Sequence, residues 1–197
     1  PHRIAFKWKT ISRINGNTSG LRIWTGNELE RRASWFNLAR KISYQFQFNW
    51  SNYHLTLRFL GECDNNSLDD IYLALSQIRT CCFTLQLQGV NHFKKKGIIK
   101  SLWVGTVKNP GLIALKTEID LILQNINFKN ERRAFYPHVT LAKLNRSRLS
   151  EVTFFEQMNN LYCSKKIPID YITIFESYSL KGGSIYQPLT KIPLRGS

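Results

Sequence analysis

The sequence predicts an α+β fold, mostly antiparallel, in one domain. Strand-like and helix-like segments alternate along it, no low-complexity linker separates them, and 197 residues at 43% hydrophobic suffice for one core. In "NELERRASWFNLARKIS", Asn27 and Glu30 stand at capping-box spacing ahead of Leu29, Ala33, Phe36 and Ile42, predicting a helix from about residue 28 to 43. "HLTLRFL" alternates Leu55, Leu57 and Phe59 against polar neighbours, predicting a half-buried strand over residues 54–60. "SLDDIYLALSQIR" predicts a second helix, with Ser67 as cap, Asp70 three residues on, and Leu68, Ile71, Leu75 and Ile78 on one face. "CFTLQLQGV" alternates Phe83, Leu85 and Leu87 as a strand, and "IIKSLWVGTV" supplies another over residues 98–107. After Pro110 and Gly111, a third helix carries Leu112, Leu115, Ile119, Ile122 and Ile126 on one face. Strands follow at 138–144, 167–175 and about 185–192, the last two joined through the turn signal "LKGGS".

Composition narrows the partners. Lys and Arg number 28 against 13 Asp and Glu, a net charge of +15, which points to a polyanion. Basic clusters stand at Lys94-Lys95-Lys96, Arg132-Arg133, Lys143 with Arg146 and Arg148, and Lys165-Lys166. No apolar run approaches the roughly 18–20 residues that cross a bilayer, and the basic start lacks the apolar stretch of a secretory signal. Cys63, Cys81, Cys82 and Cys163 form no CxxC pair and no metal-ligand spacing, so they read as reduced thiols of a cytoplasmic protein.

One strand pairs its hydrophobic face with unusual neighbours. His54, Thr56 and Arg58 share a parity, so a regular strand projects imidazole, hydroxyl and guanidinium from one face. The second half repeats the pattern 84 residues on, where His138, Val139, Thr140 and Leu141 follow the same order as His54 to Leu57. Two such tetrads suit two halves of a pseudo-symmetric fold. His2 and His92 lack this context and read as surface residues.

The tetrads "HLTL" and "HVTL", with "RFLGE" after the first and "FYPH" before the second, resemble the two-histidine (2H) phosphoesterase superfamily. Within it they are similar to the LigT-like branch, the RNA 2′,3′-cyclic phosphodiesterases once called 2′-5′ RNA ligases. The similarity runs from about residue 21 to residue 194 and includes the closing "IFESYSLKGGSIYQPLTKIPL". It implies a bilobal fold, two antiparallel sheets flanking a central cleft with helices on the outer faces. It also implies a single domain over residues 21–197, with "GLRIWTG" as its first strand and residues 1–20 as an added basic arm.

The implied activity is hydrolysis of RNA 2′,3′-cyclic phosphate ends to a 2′-phosphate, with no metal or other cofactor. Two imidazoles of ordinary pKa near 6.5 suit this chemistry, one accepting a proton from water and the other donating to the leaving oxygen. The resemblance favours His54 as acid and His138 as base. Thr56 and Thr140 are expected to hydrogen-bond the phosphate oxygens. Arg58 and Lys143 are further phosphate-binding candidates, although strict alternation turns Lys143 away from His138 unless a bulge intervenes. Tyr136 and Phe175 are base-stacking candidates, as are Phe135 and Tyr178. The partner is RNA, no membrane is involved, and a monomer is expected. The competing readings are 2′-5′ ligation or cleavage in the same cleft and a non-catalytic RNA-binding protein.

Overall fold

A computed structural model describes residues 18–23, 53–129, 131, 133–144, 149–180 and 183–196; the helix expected over 28–43 and most of the expected arm lie outside these residues. The described elements run β1 (Thr18–Ile23), β2 (Leu55–Gly61), α1 (Asn65–Leu75), β3 (Phe83–Leu85), β4 (Leu87–Lys95), β5 (Ile98–Thr106), α2 (Pro110–Asn125), β6 (His138–Lys143), α3 (Leu149–Asn159), β7 (Ile167–Ile169), β8 (Tyr171–Leu180) and β9 (Gly183–Pro193). None of these helices is long and apolar enough to cross a membrane.

Most elements fall where the hydrophobic period places them, with instructive exceptions. α1 begins three residues early, because the Asp64 carboxylate, not Ser67, caps it by accepting from the Ser67 amide at 2.8 Å. Those hydrogen bonds hold the Asp64 carboxyl below its ordinary pKa. α2 starts with Pro110 behind an Asn109 cap and buries Leu112, Leu115, Lys116, Ile119 and Leu123, so Lys116 and Leu123 join the expected face, Ile122 packs partly buried against the core, and Ile126 stands exposed. The segment read as one strand from Phe83 breaks at Gln86 into β3 and β4, and the one read over 167–175 breaks at Asp170 into β7 and β8. In each case the short first piece joins a two-stranded β3–β7 ladder while its continuation joins the main sheet. α3 has no counterpart in the expected elements. It buries Val152 and Phe155 while Phe154 and Met158 stand exposed, so its apolar residues mark no single face.

The main sheet runs β4-β5-β6-β2-β1-β8-β9 with antiparallel pairing throughout. It is two half-sheets, β4-β5-β6 and β2-β1-β8-β9, whose seam is the register pair Leu55↔Val139. This is the expected bilobal arrangement. Leu55, Leu57, Leu102, Val104, Val139, Leu141, Ile172 and Ile174 project from one side into a core shared with Ile71, Leu75, Leu115 and Ile119 of the helices. Each such side chain removed from water contributes roughly 1.5–3 kcal/mol.

Both seam strands carry a bulge at the same place in the repeat. Arg22 pairs with Thr56 but Leu21 with Arg58, leaving Leu57 as an extra residue in β2. Trp103 pairs with Thr140 but Leu102 with Ala142, leaving Leu141 extra in β6. A bulge reverses the alternation beyond it, so Leu57 and Arg58 are buried in succession, as are Leu141 and Ala142, and the exposed Phe59 and Lys143 follow.

Gly111 gives a test of packing between β3 and α2. A helical Gly→Ala change normally stabilises by about 1 kcal/mol. Here the added Cβ meets the Phe83 Cγ at 2.8 Å, so the sign reverses. Gly111→Ala is expected to destabilise by about 1–3 kcal/mol in urea unfolding, and adding Phe83→Ala is expected to relieve the clash.

Candidate active site

The seam pair fixes the relative places of the repeated motif. In an antiparallel ladder, one step on either side of Leu55↔Val139 sets His54 across from Thr140 and Thr56 across from His138. Leu55 and Val139 are fully buried, so these four half-buried neighbours share the opposite face of the sheet. Two histidines and two threonines thus form a four-cornered patch across the junction of the lobes.

His138 is held by specific contacts. Its Nδ1 lies 2.7 Å from the Tyr136 carbonyl oxygen, an acceptor only, so Nδ1 carries the proton and donates. Nε2 is then the basic nitrogen of the neutral ring. Burial holds the imidazole below its ordinary pKa of 6.5, and the bond to Tyr136 opposes that in part. The ring meets Phe93 edge-on at 4.9 Å and Trp103 at 5.9 Å between centroids. His54, in the other lobe, meets the Tyr186 ring edge-on at 4.7 Å.

Phe93, Trp103 and Tyr136 form a wall beside His138. Phe93 stacks on Trp103 at 5.1 Å, and Tyr136 stands edge-on to Trp103 at 5.2 Å. Trp103 is buried beneath, whereas Tyr136 is 58% exposed and presents its ring to solvent. Sequence reasoning singled out Tyr136 but missed Phe93, Trp103 and Tyr186. They reach the histidines across strand registers, as when Trp103 pairs with Thr140, and no local spacing encodes such pairs.

Several expected residues are placed otherwise. Arg58 is only 2% exposed and turns to the helix side, where it donates to Asp120 at 3.2 Å and to the Lys129 carbonyl at 2.5 Å. The Leu57 bulge breaks the parity that put it beside His54, which corrects its assignment as a phosphate ligand. The Leu141 bulge acts in the opposite sense, bringing the exposed Lys143 level with Ser101 on the His138 face. Phe175 is 4% exposed, so its ring offers no face to a base and that assignment is also corrected. Phe135 packs partly buried beneath the Lys116 ammonium at 5.6 Å, and the Tyr178 hydroxyl donates to Glu176 at 2.6 Å. His92 is no surface residue, because its Nδ1 sits 2.5 Å from Glu156 on α3 in a part-buried pair. The four cysteines are free thiols, and among the described residues no three His, Cys, Asp or Glu side chains gather as a metal site.

Two lobes that each bring one histidine and one threonine to a common face define the two-histidine phosphoesterase class. A family model described as LigT like Phosphoesterase matches residues 27–103, so this part of the chain is similar to the LigT-like phosphoesterases. An RNA 2′,3′-cyclic phosphodiesterase of Aeropyrum pernix is 29% identical over 149 residues, covering 74% of this chain and 84% of the relative. The Methanocaldococcus jannaschii protein of the same name is 32% identical over 96 residues, 47% of this chain and 51% of the relative. Among solved structures, Escherichia coli LigT complexed with 3′-AMP superposes with a TM-score of 0.69 at 23% identity, covering 90% of this chain and 98% of the other. A Thermus thermophilus protein superposes at 0.71 with 21% identity, covering 91% and 98%. These structural likenesses establish the fold.

Proposed function

We propose that the protein hydrolyses RNA 2′,3′-cyclic phosphate ends to 2′-phosphates with its own side chains as acid and base. The single observation that carries this reading is the register that seats two histidine–threonine pairs corner to corner on one open face. The relatives' shared name, RNA 2′,3′-cyclic phosphodiesterase, supports the substrate. With Nδ1–H committed to Tyr136, the His138 Nε2 accepts a proton from water as the water oxygen attacks phosphorus. The phosphorus–O3′ bond breaks, and protonated His54 delivers its proton to the departing O3′. Thr56 and Thr140 donate hydrogen bonds to the non-bridging oxygens as negative charge accumulates there. Lys143 adds positive charge on the same face, and Tyr136 offers a ring to the terminal base.

A short RNA with a 2′,3′-cyclic end, turned over in excess EDTA and followed by phosphorus NMR, tests this. A 2′-phosphate forms with wild-type protein. A 3′-phosphate product would overturn the assignment of the leaving oxygen, and loss of turnover in EDTA would overturn the cofactor-free mechanism.

A further inference from the structure

We infer that the β4–β5 hairpin carries the RNA chain lying 5′ of the cyclic phosphate, which makes the preferred substrate an oligonucleotide and not a cyclic mononucleotide. This rests on the proposed phosphodiesterase reading. A 2′,3′-cyclic phosphate terminates a chain, so every further nucleotide leaves from the 5′ side of the terminal nucleoside. The only question is which way across the protein.

Register gives the direction. Trp103 pairs with Thr140 and Asn91 with Trp103, so these three side chains share the face that holds His138. Two residues beyond Asn91 comes Phe93, and two beyond that Lys95, paired with Ile98 at the hairpin end. β4 has no extra residue here, since the register shift after Phe93 falls at Lys100 in β5, so Lys95 keeps the parity of Phe93. A line across the face therefore passes from the motif threonine, over the Trp103–Phe93–Tyr136 wall, to Lys95, with Lys143 level with Phe93 through Ser101. Phe93 and Lys95 stand about 7 Å apart along the strand, the scale of one nucleotide step.

The hairpin is built to project charge. Lys96 at φ 52° and Gly97 at φ 76° close a two-residue turn of the left-handed type that tight antiparallel hairpins require. Lys94, Lys95, Lys96 and Lys100 are all exposed, and none has a salt-bridge partner among the described residues. On the far lobe, by contrast, the Lys191 ammonium sits 4.3 Å over the Tyr171 ring. Stacking rings followed by a run of cations is the arrangement that holds single-stranded RNA with little base preference.

The test compares uridine 2′,3′-cyclic phosphate with a hexaribonucleotide bearing the same cyclic end, using wild type, Lys95→Glu and, as a distant control, Lys165→Gln with Lys166→Gln. Wild type is expected to favour the hexamer in kcat/KM by about tenfold or more. Lys95→Glu is expected to lose most of that preference while changing mononucleotide turnover by less than about twofold, and its log–log salt slope falls by about 1. Equal wild-type rates on both substrates overturn the inference. So does an equal loss on both in Lys95→Glu, or the same loss in the distant control. If wild type turns over neither substrate, the phosphodiesterase reading itself has failed. Anisotropy of the fluorescein-labelled hexamer then decides the track separately, and wild-type affinity in Lys95→Glu rejects it.

Discussion

Replacing His138 by alanine is expected to lower turnover of a cyclic-phosphate RNA by about 10²–10⁴-fold, the usual range for a removed general base, with His54→Ala causing a loss of similar size. The double variant is expected to be little worse than either single one, because acid and base act in one transition state. The pH profile carries the sharper information. A base must be neutral to work, so kcat/KM rises as pH passes upward through the His138 pKa. Burial depresses that pKa, hence the midpoint of the rising limb falls below 6.5. The measurement is kcat/KM on one oligonucleotide between pH 4.5 and 9. A rising limb centred above 7 would reject His138 as the group that sets it.

Arg58→Ala is expected to destabilise the fold by about 3 kcal/mol, read as a lower urea midpoint at unchanged slope. Its guanidinium bridges β2, the Asp120 carboxylate on α2 and the Lys129 carbonyl, and Lys116 grips the other oxygen of the same carboxylate. Removing Arg58 strips the Lys129 carbonyl of that donor and opens a cavity under β2, while Asp120 keeps Lys116. Arg58→Met, which refills the volume, is expected to recover more than half of the loss. Activity per folded molecule stays near wild type in both variants. A fully stable Arg58→Ala protein that fails on cyclic-phosphate RNA would return Arg58 to the cleft.

Helices with one clear apolar face, and strands with clean alternation, were legible from the chain alone. So were His54, Thr56, His138 and Thr140, because their spacing within each motif is local and the motif recurs. What alternation could not reveal was where it breaks. Bulges at Leu57 and Leu141 depend on the partner strand, yet they decide that Arg58 goes inward and Lys143 outward. The aromatic wall was hidden for the related reason that Phe93, Trp103 and His138 belong to three strands whose relative register is a tertiary property. α3 escaped because its apolar residues are spread around the helix.

The paired bulges have a consequence for handedness of use. Two lobes related by a pseudo-twofold would, if equivalent, accept a ligand equally well in either of two opposed orientations. The identical dislocation removes that equivalence, since one lobe buries a guanidinium and exposes the Phe59 phenyl while the other buries the Ala142 methyl and exposes the Lys143 ammonium. An RNA end has its own polarity, with the chain on one side of the phosphate and only solvent on the other. On the proposed reading, a face that is symmetric in its histidines and asymmetric one turn of the pleat away is vectorial: it is expected to admit such an end one way round, so that proton acceptor and proton donor would not trade places from one turnover to the next.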